Sequence, residues 1–341
     1  MIIDGKTPEA VATAADCLRA GGLIGLPTET VYGLGADADN ATAVAQIFAA
    51  KGRPSDHPLI VHLASAAQVT HYAQEVPVFA QRLIDAFWPG PVTLILPRRQ
   101  GVGAAAAGGQ GSIGLRCPSH PVAQALLRQL LEGPQPIFGI AAPSANQFGR
   151  VSPTTAAHVQ SELGEDLLIL DGGACAVGIE STIIDCTRAR PVLLRPGNLL
   201  RADLEQACGQ TVFLKEELPT DMPAAPKASG TLEAHYAPHA RVRLMDARAL
   251  QTALDLLGAD IDGKNAGKPI IATWARTVLK SRASNILRRR MPDDASTTGQ
   301  QLFAVLREFD DQGVKLIWVE TPPDLPQWAG VLDRLQRAAA S

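Results

Sequence analysis

PEAVATAADCLRAGGLIGLPTETVYGLGAD, residues 8–37, contains a helix pattern, a strand pattern and a loop rich in hydroxyl groups. Thr7 suits an N-cap, Pro8 suits a first helical turn and Gly21 suits a C-terminal stop, so we predict a helix from Pro8 to Ala20. The apolar run LIGLP at 23–27 then predicts a buried strand. A helix followed directly by a strand is typical of a sheet covered by helices.

The same alternation continues through the first two-thirds of the chain. Its further strand-like runs are LIVHL at 59–63, VTLILP at 92–97, IGLRC at 113–117, PIFGIAAPS at 136–144, LLILD at 167–171, STIID at 181–185 and PVLLRP at 191–196. Amphipathic helical patterns lie between several of these runs. We therefore expect an α/β fold.

The composition changes after Cys208. The segment KEELPTDMPAAPKASGTLEAHYAP, residues 215–238, is rich in proline, acidic and small residues and predicts a linker. From Arg241 onward strand and helix patterns alternate again, which is typical of a small parallel sheet with covering helices. We predict a large catalytic domain at 1–208, a linker over the active site at 209–240 and a Rossmann-like domain at 241–341.

Composition also limits the classes of function. A net charge of −3 gives no general attraction to nucleic acid, so any phosphate binding has to come from a few local cations. The chain has no apolar run of about 18 residues and no signal-like start, so we expect no membrane segment and a cytoplasmic location. Its five cysteines include no C-x-x-C pair, which argues against a zinc site and a disulfide framework.

Four segments place unusual polar residues at strand ends, where α/β sheets bind ligands. They are PTETVYGLGAD at 27–37, KGRPSDHPLIVHL at 51–63, SIGLRCPSHP at 112–121 and APSANQFGRVSPT at 142–154. Taken singly, the first is explained as a turn and His62 as a core or surface histidine. Arg116, in an apolar strand, needs either a ligand carboxylate or phosphate or a buried ion pair.

Two other signals are weak. GADIDGKN, Gly258 to Asn265, nearly has P-loop spacing but ends in Asn, and we interpret it as a turn. The run Arg288 to Arg290 is typical of a solvated helix face, with RNA contact as the alternative.

Taken together, the polar segments resemble one family in order and spacing. PTETVYGLG, KGRP, HPLIVH, IGLRCPSHP, APSAN, GIESTIID and LLRPG are similar to the YrdC-domain family over about residues 10–200. HYAP at 235–238, followed by a small α/β domain, resembles the long two-domain form of threonylcarbamoyl-AMP synthase. The resemblance implies a twisted mixed sheet and the substrates ATP, L-threonine and bicarbonate. It also implies Mg²⁺ bridging phosphates, and a downstream transferase that modifies tRNA.

Residue roles carry over position by position from that resemblance. The catalytic residues it implies are Lys51, Arg53 and Arg116. The ATP-binding residues are Lys51, Arg53, His57, Ser112, Ser144, Asn146, Ser152, Arg195 and Tyr236. The threonine-binding residues are Thr30, His62, Arg116, Ala142 and Ser181, and no protein metal ligand is implied. His57 stands where the family commonly has Asn.

Two other functions remain open from the sequence. An RNA-binding module of the same fold would hold RNA on its concave face, but the acidic net charge disfavours it. Carbamoyl transfer for metallocentre assembly is disfavoured because the chain lacks the zinc-finger and acylphosphatase segments of such relatives.

Overall fold

A computed structural model describes residues 1–218, 225–232, 234–257, 270–283 and 285–340. The chain forms two compact units. The first unit comprises Met1–Phe148 and Ser152–Thr231, and the second comprises Gly149–Val151 and Leu232–Ser341. None of the helices in the described ranges is long and apolar enough to cross a bilayer.

The first unit is built on a mixed sheet. Its strands are β1 (Ile2–Asp4), β2 (Ile24–Leu26), β3 (Gly33–Asp37), β4 (Ile60–His62), β5 (Val92–Pro97), β6 (Ser112–Arg116), β7 (Ile140–Ala141), β8 (Leu168–Asp171), β9 (Thr182–Asp185), β10 (Val192–Arg195) and β11 (Phe213–Leu214). They lie in the order β1-β8-β2-β3-β7-β4-β6-β5-β9-β10-β11. β4 pairs with β6 in parallel, whereas β5 pairs with β6 antiparallel. The predicted α/β fold with a mixed sheet is confirmed.

Seven α-helices of the described residues accompany this sheet. They are α1 (Pro8–Arg19), α2 (Ala41–Lys51), α3 (Val69–Tyr72), α4 (Val78–Phe87), α5 (Pro121–Leu130), α6 (Ala156–Leu163) and α7 (Arg201–Cys208). α1 begins as predicted, because the Thr7 side chain accepts a hydrogen bond from the backbone N–H of Ala10 at 3.2 Å. Its buried residues recur every three or four positions, so one apolar stripe packs beside α5 in a common core cluster.

β3 corrects one sequence interpretation. We read residues 27–37 as a turn, but Gly33–Asp37 form a strand between β2 and β7. A Cβ at Gly33 would lie 3.0 Å from the Cβ of Ala142, so the glycine permits a close approach that a larger residue would prevent. Short glycine-containing strands carry little of the apolar pattern by which strands are recognised.

The second unit has its own smaller sheet. Its strands are β12 (Arg241–Met245), β13 (Ile271–Ala275), β14 (Ile286–Arg290) and β15 (Leu316–Glu320), in the order β12-β15-β13-β14. All the pairings are parallel, as predicted. Its helices are α8 (Ala247–Leu257), α9 (Ala295–Asp311) and α10 (Ala329–Ala339).

The arginine run of the second unit is not on a helix. Arg288 to Arg290 belong to β14, at the end of the strand order, so our assignment to a helix face was wrong. Charged side chains are common on edge strands because they discourage pairing with another chain. The P-loop-like stretch Gly258 to Asn265 lies outside the described residues.

Candidate active site

One face of the first-unit sheet forms the floor of the candidate site. On neighbouring strands His62 pairs with Arg116, while Ile183 pairs with both Thr93 and Arg195. Cβ atoms alternate between faces along a strand, and paired residues share a face. The ladder therefore aligns side chains from β4, β6, β5, β9 and β10 across the sheet.

A small, partly open cleft lies on this floor, with room inside it for about 10 Å³ of solvent. Its lining residues are Pro58, Leu59, Ile60, Thr93, Ile95, Gln110, Ser112, Gly114, Ile183, Lys227, Ala228 and Ser229. Gly114 has no side chain where a Cβ would lie 3.5 Å from Thr93 and 3.7 Å from Ile60. The middle of the floor is therefore flat, and Ser112 supplies a hydroxyl at its edge.

Arg195 connects the floor to the segment above it. Its guanidinium donates to the carbonyl of Ser181 at 2.9 Å and to the carbonyl of Ser229 at 2.9 Å. The Ser181 hydroxyl lies 2.7 Å from that of Thr93. Arg195 is thus a buried cation surrounded by carbonyl and hydroxyl oxygens.

Arg116 is held from three directions. Its Nε donates to the carbonyl of Gly90 at 3.3 Å and one terminal nitrogen donates to the Thr30 hydroxyl at 2.8 Å. The other terminal nitrogen lies 2.6 Å from a carboxylate oxygen of Glu29. Of the two explanations the sequence allowed, the buried ion pair is therefore present, and it brings Arg116 and Thr30 together.

Glu29 was missed by the sequence reasoning. It is 7% exposed, and although burial raises its pKa, the Arg116 guanidinium outweighs burial and leaves the pKa below its usual range. The sequence signal for Glu29 was its charge. PTETVYG contains one acidic residue, and Arg116 in its apolar strand needs a partner of opposite charge.

His62 is a neutral imidazole. Burial, reinforced by the nearby Arg116 cation, lowers its pKa to about 3. Its Nδ1 has no hydrogen-bond partner among the described residues. At neutral pH His62 therefore brings polarity to the site without adding positive charge.

Lys51 ends α2 beneath the loop that follows β7. Its Nζ donates to the backbone carbonyls of Ser144 and Asn146. Burial, followed by the neighbouring Arg53 charge, lowers the pKa of Lys51 well below its usual value. The ammonium thus fixes the APSAN loop next to a second cation.

Arg53 and His57 share the ring of Phe148. The Arg53 guanidinium lies 5.8 Å from the ring centroid, and the His57 ring meets it edge-on at 5.4 Å. Arg53 also donates to the carbonyl of Pro58 at 2.9 Å and to the Ser229 hydroxyl at 3.4 Å. Burial, followed by the Arg53 charge, lowers the pKa of His57. Arg53 and Arg195 therefore contact the same residue, Ser229.

The remaining predicted residues of the first unit lie close to these. The Ser152 hydroxyl donates to the Glu180 carboxylate at 2.5 Å, and Ser152 is fully buried. The backbone N–H of Ala142 donates to the carbonyl of Ile60 at 3.0 Å, which places it beside β4. Ser152 therefore contacts the residue that precedes Ser181, and Ala142 adjoins β4 of the floor.

Tyr236 belongs to the second unit. It is buried, has a left-handed backbone with φ of 63°, and lies 5.4 Å from the ring of Phe303. The next residue, Ala237, donates its N–H to the carbonyl of Gly149 at 2.9 Å. The first-unit residues predicted to bind ATP and those predicted to bind threonine therefore lie in one region of that unit. Tyr236 belongs to the second unit.

Family models match almost the whole chain. A Sua5–YciO–YrdC model, described as telomere recombination, matches residues 16–197. A model described as the C-terminal domain of threonylcarbamoyl-AMP synthase matches residues 200–340.

Full-length relatives and a solved structure agree with these matches. Threonylcarbamoyl-AMP synthase of Pyrococcus abyssi is 37% identical over 330 residues, 96% of this chain and 94% of that protein. The protein of the same name from Bacillus subtilis is 36% identical over 96% of this chain and 92% of its own length. The crystal structure of P. abyssi Sua5 complexed with L-threonine superposes with a TM-score of 0.84 at 35% identity, covering 99% of this chain and 97% of that one.

Proposed function

Because the chain belongs to the threonylcarbamoyl-AMP synthase family, we propose that it joins L-threonine, bicarbonate and ATP into L-threonylcarbamoyl-AMP and releases pyrophosphate. The product would serve a downstream transferase that builds threonylcarbamoyladenosine in tRNA. The observation that carries the proposal is the set of four buried cations that the first unit gathers, Lys51, Arg53, Arg116 and Arg195.

The chemistry requires such a set. The threonine ammonium loses one proton, and bicarbonate takes up a proton and loses water to give CO₂. The amine then adds to CO₂ and releases a second proton, which leaves the carbamate anion. A carbamate oxygen then attacks the α-phosphorus while the bond to the bridging oxygen breaks and pyrophosphate leaves. Both reactants are anionic, so fixed cations and N–H donors lower the barrier by neutralising charge before the two meet.

Each cluster of cations takes one part of this task. Lys51 and Arg53, next to the loop carrying Ser144 and Asn146, would hold the triphosphate, with His57 beside them. Arg195 with Ser112 and Ser152 would complete the ATP contacts.

The threonine subsite would lie around Arg116. Thr30 already contacts that arginine, and Ala142, His62 and Ser181 lie on adjoining parts of the floor. No side-chain nucleophile is needed, because the carbamate itself attacks.

The segment from Lys227 to Ser229 would cover the nucleotide. Lys227 forms an ion pair with Asp56 at 2.7 Å, and its N–H donates to the Gln110 side chain at 3.0 Å. These contacts and those of Ser229 keep part of the predicted linker on the cleft.

Mg²⁺ would enter with ATP. Among the described residues no group of three or more His, Cys, Asp or Glu side chains could hold a metal ion. Mg²⁺ bound mainly by phosphates and water needs few protein ligands, so the residues present fit that mode of binding. We place the enzyme in the cytoplasm, with its substrates and tRNA.

The test is direct synthesis. Purified protein is incubated with ATP, L-threonine, bicarbonate and Mg²⁺, and mass spectrometry looks for the threonylcarbamoyl adenylate while each component is omitted in turn. We expect the adenylate only in the complete mixture. Nucleotide-independent, salt-sensitive RNA binding with no adenylate would instead favour an RNA-binding module.

A further inference from the structure

Three polar residues, which we call the Asp39 cluster, are not used by the proposed reaction. Asp39 follows β3, and His71 and Tyr72 are the last two residues of α3. One carboxylate oxygen of Asp39 lies 2.8 Å from Nε2 of His71 and accepts a hydrogen bond from the Tyr72 hydroxyl at 3.1 Å. Burial, followed by the Asp39 charge, raises the pKa of Tyr72, so its hydroxyl remains a donor. In the described part of the chain the cluster does not line the cleft, so any effect on the site has to pass through a neighbouring segment.

That segment is the glycine-rich loop 101–110, which joins β5 to β6. The second carboxylate oxygen of Asp39 accepts the backbone N–H of Gly103 at 2.9 Å. Gly103 has a φ of 58°, and a Cβ there would lie 2.8 Å from the side chain of Ile113 and 3.3 Å from the ring of Tyr72. The loop can approach the cluster this closely because the residue is glycine. A hydrogen bond to a carboxylate is stronger than one to a neutral acceptor, so Asp39 fixes the start of the loop.

Arg98 connects the start of this loop to its end. Its Nε donates to the carbonyl of Gln110 at 3.0 Å, and a terminal nitrogen donates to the carbonyl of Val102 at 2.9 Å. Val102 immediately precedes Gly103, which Asp39 holds. Because one guanidinium binds both ends, a change in position at the start of the loop also moves Gln110.

Gln110 extends from the loop to the segment over the cleft. It lines the cleft, and its side-chain oxygen accepts the backbone N–H of Lys227 at 3.0 Å. Lys227 begins the cover segment, Lys227–Ser229. The order of that segment therefore depends on where the loop places Gln110.

We propose that Asp39 is a positioning residue for nucleotide binding, which acts through the loop 101–110 and Gln110 on the cover segment. His71 and Tyr72 hold the Asp39 carboxylate in the orientation that receives the Gly103 N–H. The role of the cover segment in binding ATP rests on the proposed function. The link from Asp39 to the Lys227 N–H does not depend on that function.

Hydrogen exchange of the ligand-free full chain tests the link. Mass spectrometry follows the peptide containing Lys227 in wild type, Asp39→Ala, Asp39→Asn and the control Asp85→Ala. The control removes an exposed carboxylate that accepts a side-chain N–H of Gln81 at 2.8 Å on α4. It therefore matches the loss of an aspartate away from the loop.

We expect Asp39→Ala to speed exchange in that peptide about 3- to 10-fold, the range for one net hydrogen bond. Asparagine keeps an acceptor oxygen for the Gly103 N–H, so Asp39→Asn should restore most of the protection, and the control should match wild type. Tyr72→Phe keeps the ring in the core and removes one donor to Asp39, so it provides the same test if Asp39→Ala does not fold, with exchange about 2- to 3-fold faster. Wild-type exchange in a folded Asp39→Ala or Tyr72→Phe protein would overturn the proposal.

Calorimetric titration with ATP and with L-threonine tests the consequence for binding. Asp39→Ala and Gln110→Ala should each lower ATP affinity about 3- to 10-fold, and the double variant should lose no more than either single variant, because both act through one contact. Threonine affinity should stay within about 2-fold of wild type. Additive losses for ATP, or an equal loss for threonine, would show that Asp39 only stabilises the unit.

Failure of this inference and failure of the proposed function can be told apart. Wild type that binds no ATP refutes the proposed function, while the exchange result still decides the link from Asp39 to Lys227. Wild type that binds ATP with an affinity unchanged by Asp39→Ala refutes the positioning role alone.

Discussion

Replacing Arg116 with alanine should damage stability as well as catalysis. The substitution leaves Glu29 buried without its guanidinium, and breaking a buried ion pair from one side costs about 3–5 kcal/mol. With a urea slope of about 3 kcal/mol/M, the unfolding midpoint should fall by about 1–1.7 M. Threonine-dependent pyrophosphate release should be lost, whereas ATP binding should persist in the folded protein.

The double variant Arg116→Ala/Glu29→Gln separates the two effects. It removes the stranded charge, so we expect it to recover about 2–3 kcal/mol relative to Arg116→Ala while remaining inactive. Urea titrations followed by circular dichroism measure stability, and pyrophosphate release measures activity. Additive stability changes, or an Arg116→Ala protein as stable as wild type, would refute the reasoning.

The pH dependence of stability provides a second measurement on the same variants. In wild type the arginine holds the pKa of Glu29 below its usual range. Without Arg116, burial is the largest remaining influence on Glu29 and is opposed by the backbone N–H groups of Glu29 and Ser119, so we expect the folded-state pKa of Glu29 to rise above its unfolded value. The penalty of Arg116→Ala should then be small in acid and grow as the pH rises through that raised pKa. A penalty that does not change with pH would contradict the stranded charge.

Three further predictions concern other parts of the site. His62 has a pKa of about 3 in the folded protein and an ordinary value in the unfolded chain, so the free energy of unfolding decreases as the pH falls below about 6.5, by about 2 kcal/mol near pH 5. The variant His62→Asn should lose this pH dependence in urea titrations at pH 7 and pH 5. Lys51→Met should cost about 1–3 kcal/mol by leaving the Ser144 and Asn146 carbonyls without their donor, and should weaken ATP binding at least about 10-fold by calorimetry; unchanged ATP affinity would remove Lys51 from the triphosphate site. Deleting residues from Gly209 onward removes β11 and the Ser229 contacts and should impair adenylate synthesis; a truncated protein with full activity would show that the cover is dispensable.

The repeating elements of this fold could be predicted because their signals are local. The Thr7 cap and the apolar stripe of α1 are readable from adjacent residues, as are the apolar runs of β5 and β8. β3 and β14 were missed because glycines in one and arginines in the other hide the apolar pattern. Periodicity predicts the type of an element only where the sequence has a regular apolar pattern.

The site was less predictable because its geometry comes from pairing between distant strands. Nothing near His62 in sequence indicates that it lies opposite Arg116, or that Arg195 and Thr93 both pair with Ile183. The residue types at strand ends indicated which cations could bind a ligand. The family resemblance then assigned each cation to ATP or to threonine. The partner of Arg116 is a loop residue 87 positions earlier in the chain, counted as 116 minus 29, and only the folded sheet reveals it.

The buried amine at the end of α2 couples anion binding to acidity. Burial disfavours the charged form of Lys51, and a phosphate bound beside it would stabilise that form again. Phosphate binding should therefore raise the pKa of Lys51, and any proton taken up with the ligand makes the heat of association vary with the ionisation enthalpy of the buffer. A series of buffers at one pH would count those protons without any substitution.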